Sequence, residues 1–409
     1  MNSQAKLKYL TVVTLCLFIF LGSYGIDLTL EPPGYERYPY HRFLIVITAL
    51  IALLNIREVV NLCLSNKALI LLVAYIFATS LWSDDPQGTM KNFVFLASAV
   101  FIAILIVNAF SERNIVLVRW LFWLFLLMNL ASIYVALEYP ALGINVKEFG
   151  KPRWLGITNH PNTLGATGLI LIWLASNLYF LTRKTFEKLC VMIAIGVGLW
   201  VIVKADSITS LVDAFLVIEL VCYYYLFNKL SLPVKVCLLG AGFFASLFLA
   251  LFFFKGQDMA SVILSSAGRN TNLSGRTLLW SKAFTAFFES PIIGYGFDDL
   301  AGLTKRFRLL MSHLHNGYLE VLVKGGLIAG LLTFVILFRA FVDQLLIKSS
   351  HRNNFILLNS GLVMVLVHNF TESTLMKGLN PLNIVSIYVV VATSYFRNKK
   401  AMVNEVHVG

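Results

Sequence analysis

The stretch "MSHLHNGYLEVLVKGG", Met311 to Gly326, sets two histidines and an asparagine directly before an apolar run. Titratable groups at the mouth of such a run are costly and point to a task. His313 and His315 could be metal ligands, but two ligands do not make a zinc site. The acids and histidine expected on the same face, His160, Asp84, Asp85, Asp298 and Asp299, show no metal spacing, so no metal is expected. A neutral imidazole can instead accept a proton from a hydroxyl near neutral pH. His315 and Asn316 stand where the run begins, so a rigid element would fix them. In a helical setting His313, two residues earlier, would point to a different side. A hydrogen-bonded interfacial histidine is the other reading.

Further polar clusters accompany this one. "SGRTLLWSKAFTAFFESP" has helical spacing, with Leu279, Trp280, Ala283, Phe284, Phe287 and Phe288 set against Ser281, Lys282, Thr285 and Glu289. Ser274 or Gly275 could begin this helix, and Pro291 stops it. Arg276 then falls in its first turn, where a guanidinium beside a helix N-terminus suits a phosphate. An arginine snorkelling to the membrane interface fits the same position. In "PIIGYGFDDL", Gly294 and Gly296 suit a tight turn that brings backbone close to something. "KPRWLGITNHPNTLG" contributes Arg153, Asn159, His160 and Asn162, and "VKADSITSLVDA" contributes Lys204, Asp206, Ser207, Thr209 and Ser210. Asp213 lies deeper and needs a partner if buried.

The elements that must position these residues are membrane spans. The chain has 409 residues, 58% apolar and only 13% charged, roughly half the charge of a soluble protein. Its mean hydropathy is +0.78. Continuous apolar runs exclude a membrane β-barrel, whose strands alternate. The pattern predicts an all-α polytopic transmembrane helix bundle of about 12 spans. They fall near 8–24, 43–56, 68–83, 92–110, 115–136, 164–182, 188–204, 208–228, 233–254, 317–345, 354–370 and 380–396. The second is short enough to be re-entrant, and the first is read as a retained span rather than a cleaved leader.

Lys and Arg in the short connections place both termini in the cytoplasm. Membrane helices with short loops fill 1–254, apart from an outer loop at 137–163. A large outer loop fills 255–316, and helices with a short cytoplasmic tail fill 317–409. The two outer loops hold Lys147, Lys151, Arg153, Lys255, Arg269, Arg276, Lys282, Lys305, Arg306 and Arg308. They read equally as solvated loop and as a basic surface for an anionic substrate. The net charge of +12 otherwise belongs to topology-setting loops, and no nucleic-acid partner is expected. Five cysteines without CxxC spacing indicate neither a disulfide framework nor a zinc site. Polar residues gather on one face rather than at the midplane, and no internal repeat is seen, which favours a surface-facing enzyme over a transporter.

In order, "SGRTLLW", "PIIGYGF" and "HLHNGYLEVLVKGGLIAGL" resemble the O-antigen ligase and repeat-unit polymerase superfamily of envelope glycan assembly, as do "LWSDDP" and "HPNTLG". The resemblance implies a metal-independent glycosyltransferase without cofactor, similar to the GT-C class, in the bacterial inner membrane with its site facing the periplasm. Its partners would be the lipid bilayer and a glycan on polyprenyl pyrophosphate, with a flippase and a chain-length regulator beside it. The family's loop arginine carries over to Arg276 and its histidine to His315. The implied substrate site is lined by Arg153, Lys204, His160, Arg269, Tyr295, His313 and Asn316. One departure stands out: Ile208 occupies the place of a second family arginine, with Lys204 as the nearest substitute. A polymerase is the leading expectation, a ligase the second and a transporter the third.

Overall fold

The structure is a computed structural model that describes residues 39–110, 114–145, 152–226, 273–298, 300–307, 313–347 and 351–408, with isolated positions from 230 to 242. The run expected at 8–24, most of that at 233–254, and Arg269 lie outside the described residues. In chain order the elements are α1 (Pro39–Leu54), α2 (Ile56–Ser65), α3 (Lys67–Ala78), α4 (Pro86–Phe110), α5 (Asn114–Glu138) and the single turn α6 (Pro140–Gly143). The strands β1 (Ile144–Asn145) and β2 (Arg153–Trp154) follow. The remaining helices are α7 (Pro161–Leu181), α8 (Thr185–Lys204), α9 (Ile208–Leu226), α10 (Leu273–Glu289), α11 (Ala301–Phe307), α12 (Gly317–Ile347), α13 (Arg352–His368) and α14 (Pro381–Val408).

Among the described residues six helices, α4, α5, α7, α8, α9 and α12, are long and apolar enough to cross a membrane. The chain is an all-α, multi-pass membrane protein. The short run expected at 43–56 is part of a helix pair bent by 95°. Its cause is local. Asn55 Nδ2 takes the Ile51 carbonyl at 2.8 Å, which the Asn55 amide would bind in a continuous helix, and that amide turns to Ala52 instead. Asn66 repeats the device on the Leu62 carbonyl at 2.8 Å, ending α2 before α3.

The chain divides into two compact units. The first comprises 1–47, 109–256 and 352–364, and the second 48–108, 257–351 and 365–409. At the centre of the first, α7 is buried along almost its whole length. Small residues allow the close crossing with α8: a Cβ on Gly168 or on Gly198 would lie 3.0 Å from the other's carbonyl oxygen. Trp173, fully buried, donates its indole N–H to the Leu357 carbonyl at 3.3 Å and to Ser360 Oγ at 3.1 Å, which ties α13 to α7.

In the second unit the run expected as one span at 317–345 is a broken helix. Within α12, Gly326 has φ 62° and ψ −164°, a conformation open to glycine and strained for other residues. The turn 291–296 fills the break. Tyr295 and Gly296 amides donate to the Val323 and Lys324 carbonyls at 3.3 and 2.8 Å, and the Leu327 and Ile328 amides donate to Pro291 and Ile292 at 2.8 and 3.3 Å. Irregular backbone at such a place is tolerated only where protein satisfies it. The expected close approach at Gly294 and Gly296 is therefore real. A Cβ on Gly294 would sit 2.4 Å from the Lys324 carbonyl oxygen, and one on Gly296 2.5 Å from Ser83 Cβ.

The helix expected from "SGRTLLWSKAFTAFFESP" is α10, but its apolar residues do not share one face. Leu279, Ala283 and Ala286 are buried against Leu300, Leu303, Leu314, Leu319 and Val323, with Trp280 and Phe287 partly buried beside them. Phe284 and Phe288 are exposed. The small residues let α10 approach closely, while the Phe284 and Phe288 rings turn outward.

Candidate functional site

The histidine cluster lies in the second unit, in irregular chain just before α12. Asn316 caps that helix: its Oδ1 accepts the Leu319 amide at 2.9 Å, the third position of the first turn. Its Nδ2 donates to the Phe370 carbonyl at 3.2 Å, and its own amide to Ser373 Oγ at 3.0 Å. The Gly317 amide donates to the carbonyls of Asn369 and Glu372 at 2.9 and 3.1 Å. Asn369, fully buried, organises the segment that follows, accepting at Oδ1 from the Thr374 and Leu375 amides at 2.9 and 3.0 Å. The start of α12 is thus clamped to residues 369–375.

Leu314, between the two histidines, is held at both backbone groups. Its amide donates to Glu320 Oε2 at 3.1 Å, and its carbonyl accepts the Trp280 indole N–H at 2.8 Å. Glu320 is also paired with Lys324 at 3.0 Å, one turn on, and both are buried. The Trp280 bond connects the histidine segment to α10, and Arg276 lies one helical turn earlier on the same helix. The position of Arg276 in the first turn of α10 is as expected.

His315 itself has φ 49°, a left-handed backbone that costs a non-glycine residue about 1–2 kcal/mol. It is 9% exposed, and its Nδ1 lies 3.5 Å from Glu372 Oε2. The expectation that His313 points elsewhere is overturned. The two imidazoles meet edge to face with centroids 4.1 Å apart, because residues 313–316 are not helical and the turn at His315 brings the rings together. Burial drives the His313 pKa down to about 4, helped by His315 and Lys377 and opposed by Glu320 and Glu372. His313 is therefore neutral near pH 7.

Tyr295 sits on the turn that fills the α12 break. It is half-buried, the Arg306 guanidinium lies 5.5 Å from its ring centroid, and burial pushes its phenol pKa up. Arg306 is in turn paired with Glu289 at 2.9 Å.

The other expected residues, Arg153, His160 and Lys204, belong to the first unit. There β1 and β2 form a short hairpin pairing Asn145 with Arg153. Arg153 Nε donates to the Ala205 carbonyl at 3.1 Å, and its Nη2 to Asn162 Oδ1 at 2.8 Å and the Asp206 carbonyl at 3.0 Å. His160 caps α7, its Nδ1 accepting the Asn162 amide at 3.1 Å. The Lys204 ammonium sits 5.6 Å from the Trp154 ring centroid. Ile208, at the start of α9, is 46% exposed. Asp213 is fully buried in the same helix.

Sequence reasoning missed Glu320, Lys324 and Glu372. For the first two a signal was present, an acid and a base four apart inside an apolar run. Glu372 gave none beyond being an acid in an otherwise sparsely charged connection.

A broken, gap-filled helix, a capped histidine segment and many apolar spans define a membrane protein with a built polar site. Residues 162–334 match the family described as O-antigen ligase. A segment of 107 residues is 32% identical to the exopolysaccharide production protein ExoQ of Rhizobium meliloti (strain 1021), a match covering 24% of this chain and 24% of that relative's length. The chain is similar to that family over this segment, and the match spans about a quarter of the relative's length.

Proposed function

We propose that the protein is a glycosyltransferase that polymerises oligosaccharide repeat units carried on polyprenyl pyrophosphate, at the periplasmic face of the bacterial inner membrane. The observation that carries this reading is His315, buried, backbone-strained and clamped at the start of α12 by hydrogen bonds from three segments. Strain kept in place by such a frame points to function. In the reaction, His315 Nε2 takes the proton of an acceptor-sugar hydroxyl. The hydroxyl oxygen bonds to the anomeric carbon of the donor glycan, and the carbon–oxygen bond to pyrophosphate breaks, its electron pair leaving on the phosphate. Arg276 neutralises that charge through paired N–H donors. The Trp280–Leu314 bond supports this pairing of roles, since it fixes the helix of Arg276 against the segment of His315.

A ligase, moving finished polysaccharide onto lipid A-core, is the second reading, favoured by the description of the matching family. One experiment separates them. Purified protein in lipid nanodiscs receives a polyprenyl-pyrophosphate-linked repeat, with or without lipid A-core. A ladder of repeat multiples with released polyprenyl pyrophosphate, formed from the repeat alone, is expected. Product only when lipid A-core is present establishes the ligase. No carrier release under either condition overturns both.

A further inference from the structure

We propose that Glu372 is the positioning residue of His315: its carboxylate holds the imidazole with Nδ1–H toward itself, leaving Nε2 unprotonated for the acceptor. The inference deepens the function proposed above and rests on it for the meaning of the proton transfer. Its grounds are geometric. Glu372 Oε2 lies 3.5 Å from His315 Nδ1, and both residues are buried. No protein group stands within hydrogen-bonding distance of that nitrogen among the described residues. A buried ring nitrogen facing a carboxylate is protonated there, since the other tautomer would set a lone pair against an anion. The contact is longer than a hydrogen bond, as such bonds are in enzymes without substrate, and it shortens when the imidazole becomes charged.

The backbone supports the pairing. The same segment that carries Glu372 also binds the chain on the far side of His315, through Ser373 Oγ to the Asn316 amide and through the Asn369 and Glu372 carbonyls to the Gly317 amide. The left-handed turn at His315 is what directs its side chain away from the helical path while these bonds hold its neighbours. Glu372 thus fixes both the place of the imidazole, through its backbone carbonyl, and its tautomer, through its side chain. During transfer the proton from the acceptor hydroxyl arrives at Nε2, the Nδ1 proton stays put, and the resulting imidazolium faces a carboxylate. The proton at Nε2 then leaves to water, which restores the base. The other ionisable groups here are His313, whose ring touches that of His315, then Lys377 and Glu320, which act on His313, and Lys324, paired with Glu320.

Glu372→Gln tests this, since it keeps size but removes the charge and can present an N–H to Nδ1. The expected result is a fall in kcat on the order of 10² or more with KM little changed. Glu372→Asp should restore part of the rate. A residue that only braced the segment would lower yield and stability in both variants alike, with no recovery of rate in Glu372→Asp, and that result overturns the proposal. So does a Glu372→Gln enzyme with normal kcat. A second readout needs no turnover: ¹⁵N spectra of histidine-labelled protein, with His315 assigned by its loss in His315→Gln. Wild type should show Nδ1–H, and Glu372→Gln should shift toward Nε2–H. Nδ1–H in a protein that transfers no glycan would sink the reaction and leave the pair standing. Nε2–H in an active wild type would sink the pair and leave the reaction.

Discussion

The Arg153 cluster of the first unit and the His315 cluster of the second unit are alike as sequence but differ in how far their polar atoms are satisfied. Arg153 spends its donors on two backbone carbonyls and one side-chain amide, all from its own unit. It pins the hairpin to the end of α8 and the start of α7, and it does so from within ordinary backbone. His315 has a strained backbone, a ring nitrogen without a close partner among the described residues, and a carboxylate just beyond bonding range. Every neighbour of His315 is bonded firmly, yet the histidine is not. Saturation marks a cluster that holds structure, and a rigid frame around an incompletely satisfied group marks one that can act.

The largest expected effect falls on the His315 cluster. His315→Ala should leave the protein inserted and folded, because its neighbours' bonds are backbone and side-chain bonds that do not use the imidazole. Its transfer rate should fall by about 10² to 10⁴, the usual worth of a placed proton acceptor. The check is carrier release by purified variants of matched thermal stability. A His315→Ala enzyme within a few-fold of wild type would erase the contrast between the clusters. Next in size, Arg276→Lys keeps the charge but loses the planar fork, and should cost on the order of 10² to 10³ in rate. Near-normal polymer length and yield from that variant would remove Arg276 from the site.

Much of the molecule is legible in its sequence and some is not, for physical reasons. The positions of α4, α5, α7, α8, α9 and α12 follow from local hydropathy, the α10 helix from its 3.6-residue spacing, and the close turn at Gly294 and Gly296 from the need for positive φ. The break at Gly326 is not legible, because an apolar run with paired glycines resembles a continuous span unless the segment that fills the gap is known. That segment, 291–296, bonds to it from far earlier in the chain. The partnership of His315 with Glu372 is equally hidden, since periodicity carries no information about which loops meet. The acceptors of Arg153 are hidden for the same reason: the sequence does not say that Ala205, Asp206 and Asn162 meet it.

That difference gives the third effect, smaller and of another kind. Arg153→Lys cannot reproduce donors at both Nε and Nη2, so it should cost about 2 kcal/mol of stability, as loss of hydrogen bonds to a charged group does. The rate per folded molecule should stay within a few-fold of wild type. Thermal unfolding in detergent, followed beside turnover, reads both. Unchanged stability together with a KM raised about tenfold would instead make Arg153 a substrate ligand and place action in both clusters.

The smallest effect sharpens the comparison inside the His315 cluster. His313 touches His315, yet its pKa of about 4 makes it a poor proton acceptor near pH 7, since a base so weakly basic takes little of a hydroxyl's proton in the transition state. His313→Gln should therefore slow transfer by less than about tenfold, against the larger loss at His315. It should also leave the neutral-pH end of the rate profile in place. Its signature is in stability. Between the ordinary value of 6.5 and about 4, the unfolded chain takes up a proton at this residue and the folded protein does not. Folding stability from His313 is thus intact above that window and falls as the pH drops through it. His313→Gln should flatten the decline between pH 6.5 and 4, and the decline should be followed by thermal unfolding across that range. A variant that keeps the full slope would show that His313 is not the buried neutral group described. One that abolishes turnover at unchanged stability would move the base from His315 to its neighbour.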